Sequence, residues 1–350
     1  MAPAGIALLA GLDAALLLLD LPAPVTTDRL PLVHGMVLVL GFVGTLIALE
    51  RAVALGVRWG FTAPSLLGAG ALLLLAPVPL AVGRLLLLGG AVALVAVYVP
   101  LWRRQADEAV LVQTLGAVLA AGAAALWLGG VAVPILLPWL VGFVVLTIAG
   151  ERLELARLAM GPSAGPTLVL LAVAVAAATA ASLLVPDAGS IALGATLAAL
   201  VAWLATHDVA RHTVRAAGLP RYMAVCMLAG YAWAAVAAAT WLTSGAVHDG
   251  ASYDAVVHAV FLGFTLSMVM AHAPVILPVV LGRTLTFHPA LYAPVVLLHA
   301  SLVVRLWLGD ALDLPHAWRA GAVLNIAAVL LFAGLTAWRV ATSRREGAVR

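Results

Sequence analysis

The chain contains no lysine, a single cysteine and few charges of either sign: charged residues make up 9% of its 350 positions. A water-soluble protein of this length needs a charged surface near a quarter of its residues, so a set of soluble domains is excluded. The lone cysteine, Cys226, excludes intramolecular disulfides, haem attachment through CxxCH and cysteine-rich metal sites. The 18 basic residues are all arginine and nearly all fall in short loops between apolar runs or in the tail, so the net charge of +3 does not point to nucleic acid. No basic segment precedes the first apolar run, which therefore reads as a retained helix rather than a cleaved signal.

Apolar residues are what the chain has in quantity: 65% of the sequence, with a mean hydropathy of +1.16. Lipid is then the solvent, and backbone polar groups must be satisfied within helices. Apolar runs bounded by charge, proline or glycine predict an all-α polytopic bundle of about twelve transmembrane helices, over 4–20, 31–49, 61–78, 85–102, 109–128, 133–150, 166–185, 190–206, 222–243, 254–277, 289–308 and 319–340. No gap leaves room for a soluble domain, so residues 1–350 read as one membrane domain.

Arginine sets the orientation. Arg51, Arg58, Arg103, Arg104, Arg152, Arg157, Arg211, Arg215, Arg221 and Arg283 lie in loops on one side with the tail residues Arg339, Arg344, Arg345 and Arg350. Only Arg29, Arg84 and Arg319 lie in loops on the other, where Asp20, Asp28, Asp187, Asp249, Asp254, Asp310 and Asp313 gather. By the positive-inside rule both termini are cytoplasmic, in a bacterial-type inner membrane.

The second and sixth spans share the pattern GFVxxxIAxER, from Gly41 to Arg51 and from Gly142 to Arg152. The tenth has Gly263-Phe264 and then His272 at matching places, so Glu50, Glu151 and His272 correspond. This predicts three units of four helices, roughly 1–105, 106–215 and 216–345. Chance similarity between apolar segments is the alternative.

Ionisable residues inside spans are costly and mark candidate sites. They are Asp13, His34, His258, His272, His299 and Arg305. At ~1.5 Å rise per residue, His34 and His258 lie ~5–6 Å below the outer boundary and Arg305 ~5 Å below it, while His299 is near mid-membrane. Two imidazoles and a guanidinium at one depth suit a bis-histidine haem b, with arginine neutralising the propionates. The rival pairing is His258 with His299. The plainer reading is that each histidine bonds a neighbouring helix. At the inner face, Glu50, Glu151 and His272, with His288 beyond, suit a second metal or haem or a proton-uptake site. Paired Glu-Arg anchors are the alternative there. Met268 and Met270 beside His272 would suit copper but lie on different helix faces. Pro274 and Pro278 are expected to disturb that helix.

His34-Gly35-Met36 followed by Gly41-Phe42, Val257-His258-Ala259 followed by Gly263-Phe264, and the Gly282-Arg283 turn with His288 after it resemble the NnrS family of membrane haem proteins. The twelve-span pattern more distantly resembles the catalytic subunit of haem–copper oxidases. The resemblance implies haem binding, with iron as the metal, and a role in nitrosative stress or membrane redox metabolism with nitric oxide or quinol as partner. Met36 stands where the family's second histidine is usual, and the sixth and seventh spans hold no histidine for an oxidase copper site. No residue pattern assigns an enzymatic turnover. The competing function is a proton- or ion-coupled transporter or channel without haem, resting on Asp13, His299 and Asn325.

Reporter fusions at Ser343 and Asp249 are expected to read cytoplasmic and external respectively. The same side for both would remove the topology.

Overall fold

The computed structural model describes residues 1–281 and 287–347, and no strand occurs among them. Helices α1 to α12 cover Ala2–Leu18, Arg29–Leu55, Thr62–Leu75, Leu80–Gln105, Glu108–Leu128, Val133–Met160, Ala164–Leu184, Pro186–His207, Gly218–Ser244, residues 250–281, Pro289–Ala311 and Pro315–Gly347. Each predicted span falls on one of them. Ten are long and apolar enough to cross a membrane. The other two, α1 with 17 residues and α3 with 14, reach only ~26 and ~21 Å against a hydrocarbon core of ~30 Å, so ten of the twelve predicted spans meet that length. Large apolar side chains such as Leu32, Leu170 and Leu184 are exposed, as a lipid-facing surface requires.

Helix ends depart from the apolar runs for a physical reason. α2 continues past Glu50 and Arg51 to a left-handed Gly56, and α6 continues past Glu151 and Arg152 to Gly161 at φ +88°. Charge marks where hydrocarbon ends, whereas a residue that tolerates positive φ marks where the helix ends. Glu151, Arg152 and Glu154 are thereby placed on helix α6 and not in a loop.

Three helices contain π-helical stretches: Val37–Gly44 in α2, Ala259–Leu266 in α10 and Val304–Ala311 in α11. Such stretches concentrate at functional sites. His34 lies one turn before the first, His258 immediately before the second, and Arg305 is the second residue of the third. Pro274 and Pro278 do not interrupt α10, whose Ser267–Leu281 segment remains α-helical. The irregularity of that helix lies upstream, at the π stretch.

Contacts gather into two compact units, Met1–Arg157 with Pro162–Leu184, and Leu158–Gly161 with Val185–Arg350. In the first, α3 packs along α4 through glycines: a Cβ on Gly90 would lie 2.8 Å from the Leu67 backbone nitrogen, and one on Gly70 would lie 2.9 Å from that of Leu87. In the second, α8 packs along α9, where a Cβ on Gly194 would meet the Ala238 carbonyl at 2.7 Å. Small residues let membrane helices approach to backbone contact, which supplies the van der Waals energy that replaces a hydrophobic drive. The three glycines of the repeated GF motif are each pressed on a neighbouring helix: Gly41 on Ala71, Gly142 on Leu119 and Gly263 on Trp233.

Gly90→Ala should destabilise the first unit by about 1–3 kcal/mol, because backbone cannot yield to the added methyl. Gly89→Ala, whose Cβ would meet only a leucine methyl at 3.6 Å, should be tolerated. Thermal melts in detergent compare the two.

Candidate functional site

The intramembrane histidines divide by tautomer. His34 Nδ1 lies 2.9 Å from the Gly11 carbonyl, His258 Nδ1 lies 2.9 Å from the Asp254 carbonyl, and His272 Nδ1 lies 2.8 Å from the Met268 carbonyl. A carbonyl only accepts, so Nδ1 carries a proton in all three, and when the ring is neutral its lone pair is on Nε2. That is the form in which imidazole ligates a metal through Nε2. His299 is the reverse. Its Nδ1 accepts the Trp233 indole N–H at 2.9 Å, so the neutral ring holds its proton on Nε2, an atom buried without a partner. This arrangement offers no lone pair to iron and does not suit the rival pairing of His258 with His299. His288 Nδ1 accepts the Ala290 backbone N–H at 3.1 Å on an exposed ring.

In the second unit His258 belongs to a braced cluster. Asp254, one turn earlier on α10, has its Oδ1 3.1 Å from His258 Nδ1. The Arg305 guanidinium on α11 clamps the same carboxylate through two donors, Nε to Oδ2 at 2.8 Å and Nη2 to Oδ1 at 2.6 Å. Trp318 on α12 adds an indole N–H to Oδ2 at 3.3 Å, and its ring lies 5.1 Å from the guanidinium carbon. Gly321 makes room, since a Cβ there would meet the Arg305 backbone nitrogen at 2.6 Å. Arg305 and His258 are thus brought together as their common depth suggested. The link is Asp254, a residue assigned to the outer loop side, and it occupies two of the guanidinium donors that were expected to face propionates.

In the first unit, His34 is tied to α1. Asp13 of α1 accepts the Val25 backbone N–H at 3.3 Å, which fastens the loop after α1. A separate charge cluster joins α2, α5 and α6: Arg51 Nη1 donates to Glu154 at 2.9 Å and to Gln113 Oε1 at 3.2 Å, while Nη2 donates to Glu50. Gln113 also donates to Glu154 at 3.0 Å. Glu154 was missed because it was read as lying in a loop.

Among the described residues no group of three or more His, Cys, Asp or Glu is arranged to hold a metal ion. Gly282 and Arg283 lie outside the described residues.

The family described as a domain of unknown function, DUF8744, matches residues 1–341, and the chain belongs to that family. No curated protein and no solved structure matches it.

Asp254→Asn should leave Arg305 with only the neighbouring Asp310 carboxyl and cost up to about 3–5 kcal/mol, the usual penalty for breaking a buried pair. Asp254→Asn combined with Arg305→Gln should recover much of that loss in the same melting assay. Additive losses would mean the two residues do not act as a pair.

Proposed function

We propose that this member of the DUF8744 family is a haem-binding integral membrane protein with a role in nitric oxide or membrane redox metabolism. The observation that carries the reading is His258. Its Nδ1–H is held by both the carbonyl and the carboxylate of Asp254, and that carboxylate is itself clamped by Arg305 and Trp318. A carboxylate–histidine pair of this kind fixes the ring, sets its tautomer and raises the basicity of Nε2 toward a metal. His34 of the first unit, with its proton likewise committed to a backbone carbonyl, is a further candidate haem ligand from the sequence. Haem b fits a chain whose single cysteine cannot make two thioether links.

Bound haem would supply one-electron chemistry and a site for small diatomic molecules. The protein's own residues do the rest. Asp254 orients His258 and balances Arg305, and the surrounding apolar helices exclude water. The likeness to NnrS supports nitric oxide or quinol as the partner. The arginine asymmetry supports a bacterial-type inner membrane with both termini cytoplasmic.

The visible spectrum of the detergent-purified protein tests this. A Soret band with sharp reduced α and β bands is expected. His258→Ala should remove the low-spin signature, whereas His299→Ala should leave it in place; His34→Ala tests the further candidate. A folded, colourless protein that takes up no added haem would overturn the proposal.

A further inference from the structure

The charges that close the glycine-ended termini of α2 and α6 are not balanced. Around Arg51 the first unit assembles three carboxylates: Glu50 from α2, and Glu151 and Glu154 from α6. Arg51 bonds Glu50 and Glu154 directly. Glu151 makes no hydrogen bond or ion pair within the described residues, and the charged groups nearest it are Glu50, Arg51, Glu154 and Arg152. Three carboxylates beside two guanidinium groups leave a surplus negative charge when all are ionised. A low-dielectric surrounding penalises that surplus.

An independent observation points to something held there. Tyr98 of α4 is 1% exposed, and its hydroxyl has no hydrogen-bond partner. The charges that act on that hydroxyl are Arg51, Glu151, Glu50 and Glu154, which puts it in the neighbourhood of this cluster. Arg51 Nε and the hydroxyl of Thr147, one turn before Glu151 on α6, are also buried without partners. Native proteins rarely leave buried donors unmet. Unmet donors beside an unpaired carboxylate suit a small, proton-bearing occupant. Metal is disfavoured, because the described residues form no metal-holding group.

We propose that Glu151 is a proton-binding carboxyl of the first unit, with Tyr98 as its positioning residue. A proton from the adjoining aqueous phase adds to a carboxylate oxygen of Glu151, one O–H bond forms, and no electron moves. Glu154, whose side chain is 38% exposed, is the outer edge of the cluster and its contact with water. Arg51 and Gln113 hold Glu154 in that position. None of the imidazoles proposed as haem ligands takes part, so this site and the haem reading fail or succeed separately.

Infrared difference spectroscopy of the full chain, grown with carbon-13-labelled glutamate and titrated from about pH 9 to about pH 5, provides the test. Expected is a glutamic-acid C=O band that grows as pH falls and moves down in deuterium oxide. Glu151→Gln should abolish it, Glu154→Gln should retain it, and Tyr98→Phe should shift both its frequency and its midpoint. No labelled acid band in the unaltered protein, or one that survives Glu151→Gln, overturns the proposal. A band indifferent to Tyr98→Phe overturns the part given to the tyrosine. If Glu151→Gln does not fold, Glu151→Asp serves instead: the labelled band should vanish and an unlabelled aspartic-acid band replace it, and a persisting labelled band counts against the site.

Discussion

A charge or a helix end placed in hydrocarbon has to be answered by another group of the same protein, because lipid offers it nothing. Arginine gives most of the answers here. Arg29 donates to the carbonyls of Leu74 and Val78 at and beyond the end of α3, Arg84 to that of Trp127 at the end of α5, and Arg104 to that of Leu55 at the end of α2. Each meets carbonyls that have no partner inside their own helix. Arg51 holds two carboxylates and an amide, and Arg305 holds both oxygens of one carboxylate. A planar fork with five donors serves several acceptors at once, which a lysine ammonium does less well. The absence of lysine therefore matches the way this bundle is closed.

The same economy joins architecture to chemistry at Asp254. One carboxylate pairs the buried Arg305, takes the indole of Trp318 and fixes the ring of His258. The contact that draws α10, α11 and α12 together is also the contact that sets which nitrogen of His258 is basic. Stability and the choice of tautomer are one feature at this place.

Much of this was legible in the sequence. The helices were, because apolar runs in lipid have no other regular structure open to them. The candidate histidines were, because intramembrane ionisable residues are few. What escaped depended on where helices stop and which side chains meet. Ending the spans before Glu50 and Glu151 hid the continuation of α2 and α6, and with it the joining of Glu154 to Arg51. Asp254 was counted with the outer loops, so Arg305 was given a propionate in place of a carboxylate of its own chain. Tyr98 carried no signal at all, because spacing along one chain does not reveal that its hydroxyl is buried without a partner. The opposite tautomer of His299 follows from the Trp233 indole, a contact that spacing along one chain does not reveal.

The π stretches give the helices that carry them two independently phased halves. A π turn holds about one residue more than an α turn, and each α-helical residue advances the helix by ~100°. In α2 the stretch separates His34 from Glu50, and in α10 it separates His258 from His272. Losing or gaining one residue there would leave the imidazole near the stretch in its place and turn the far end to a different neighbour. Descendants of this chain could therefore alter the chemistry at one face of the membrane by a single-codon change in length, without touching the chemistry at the other.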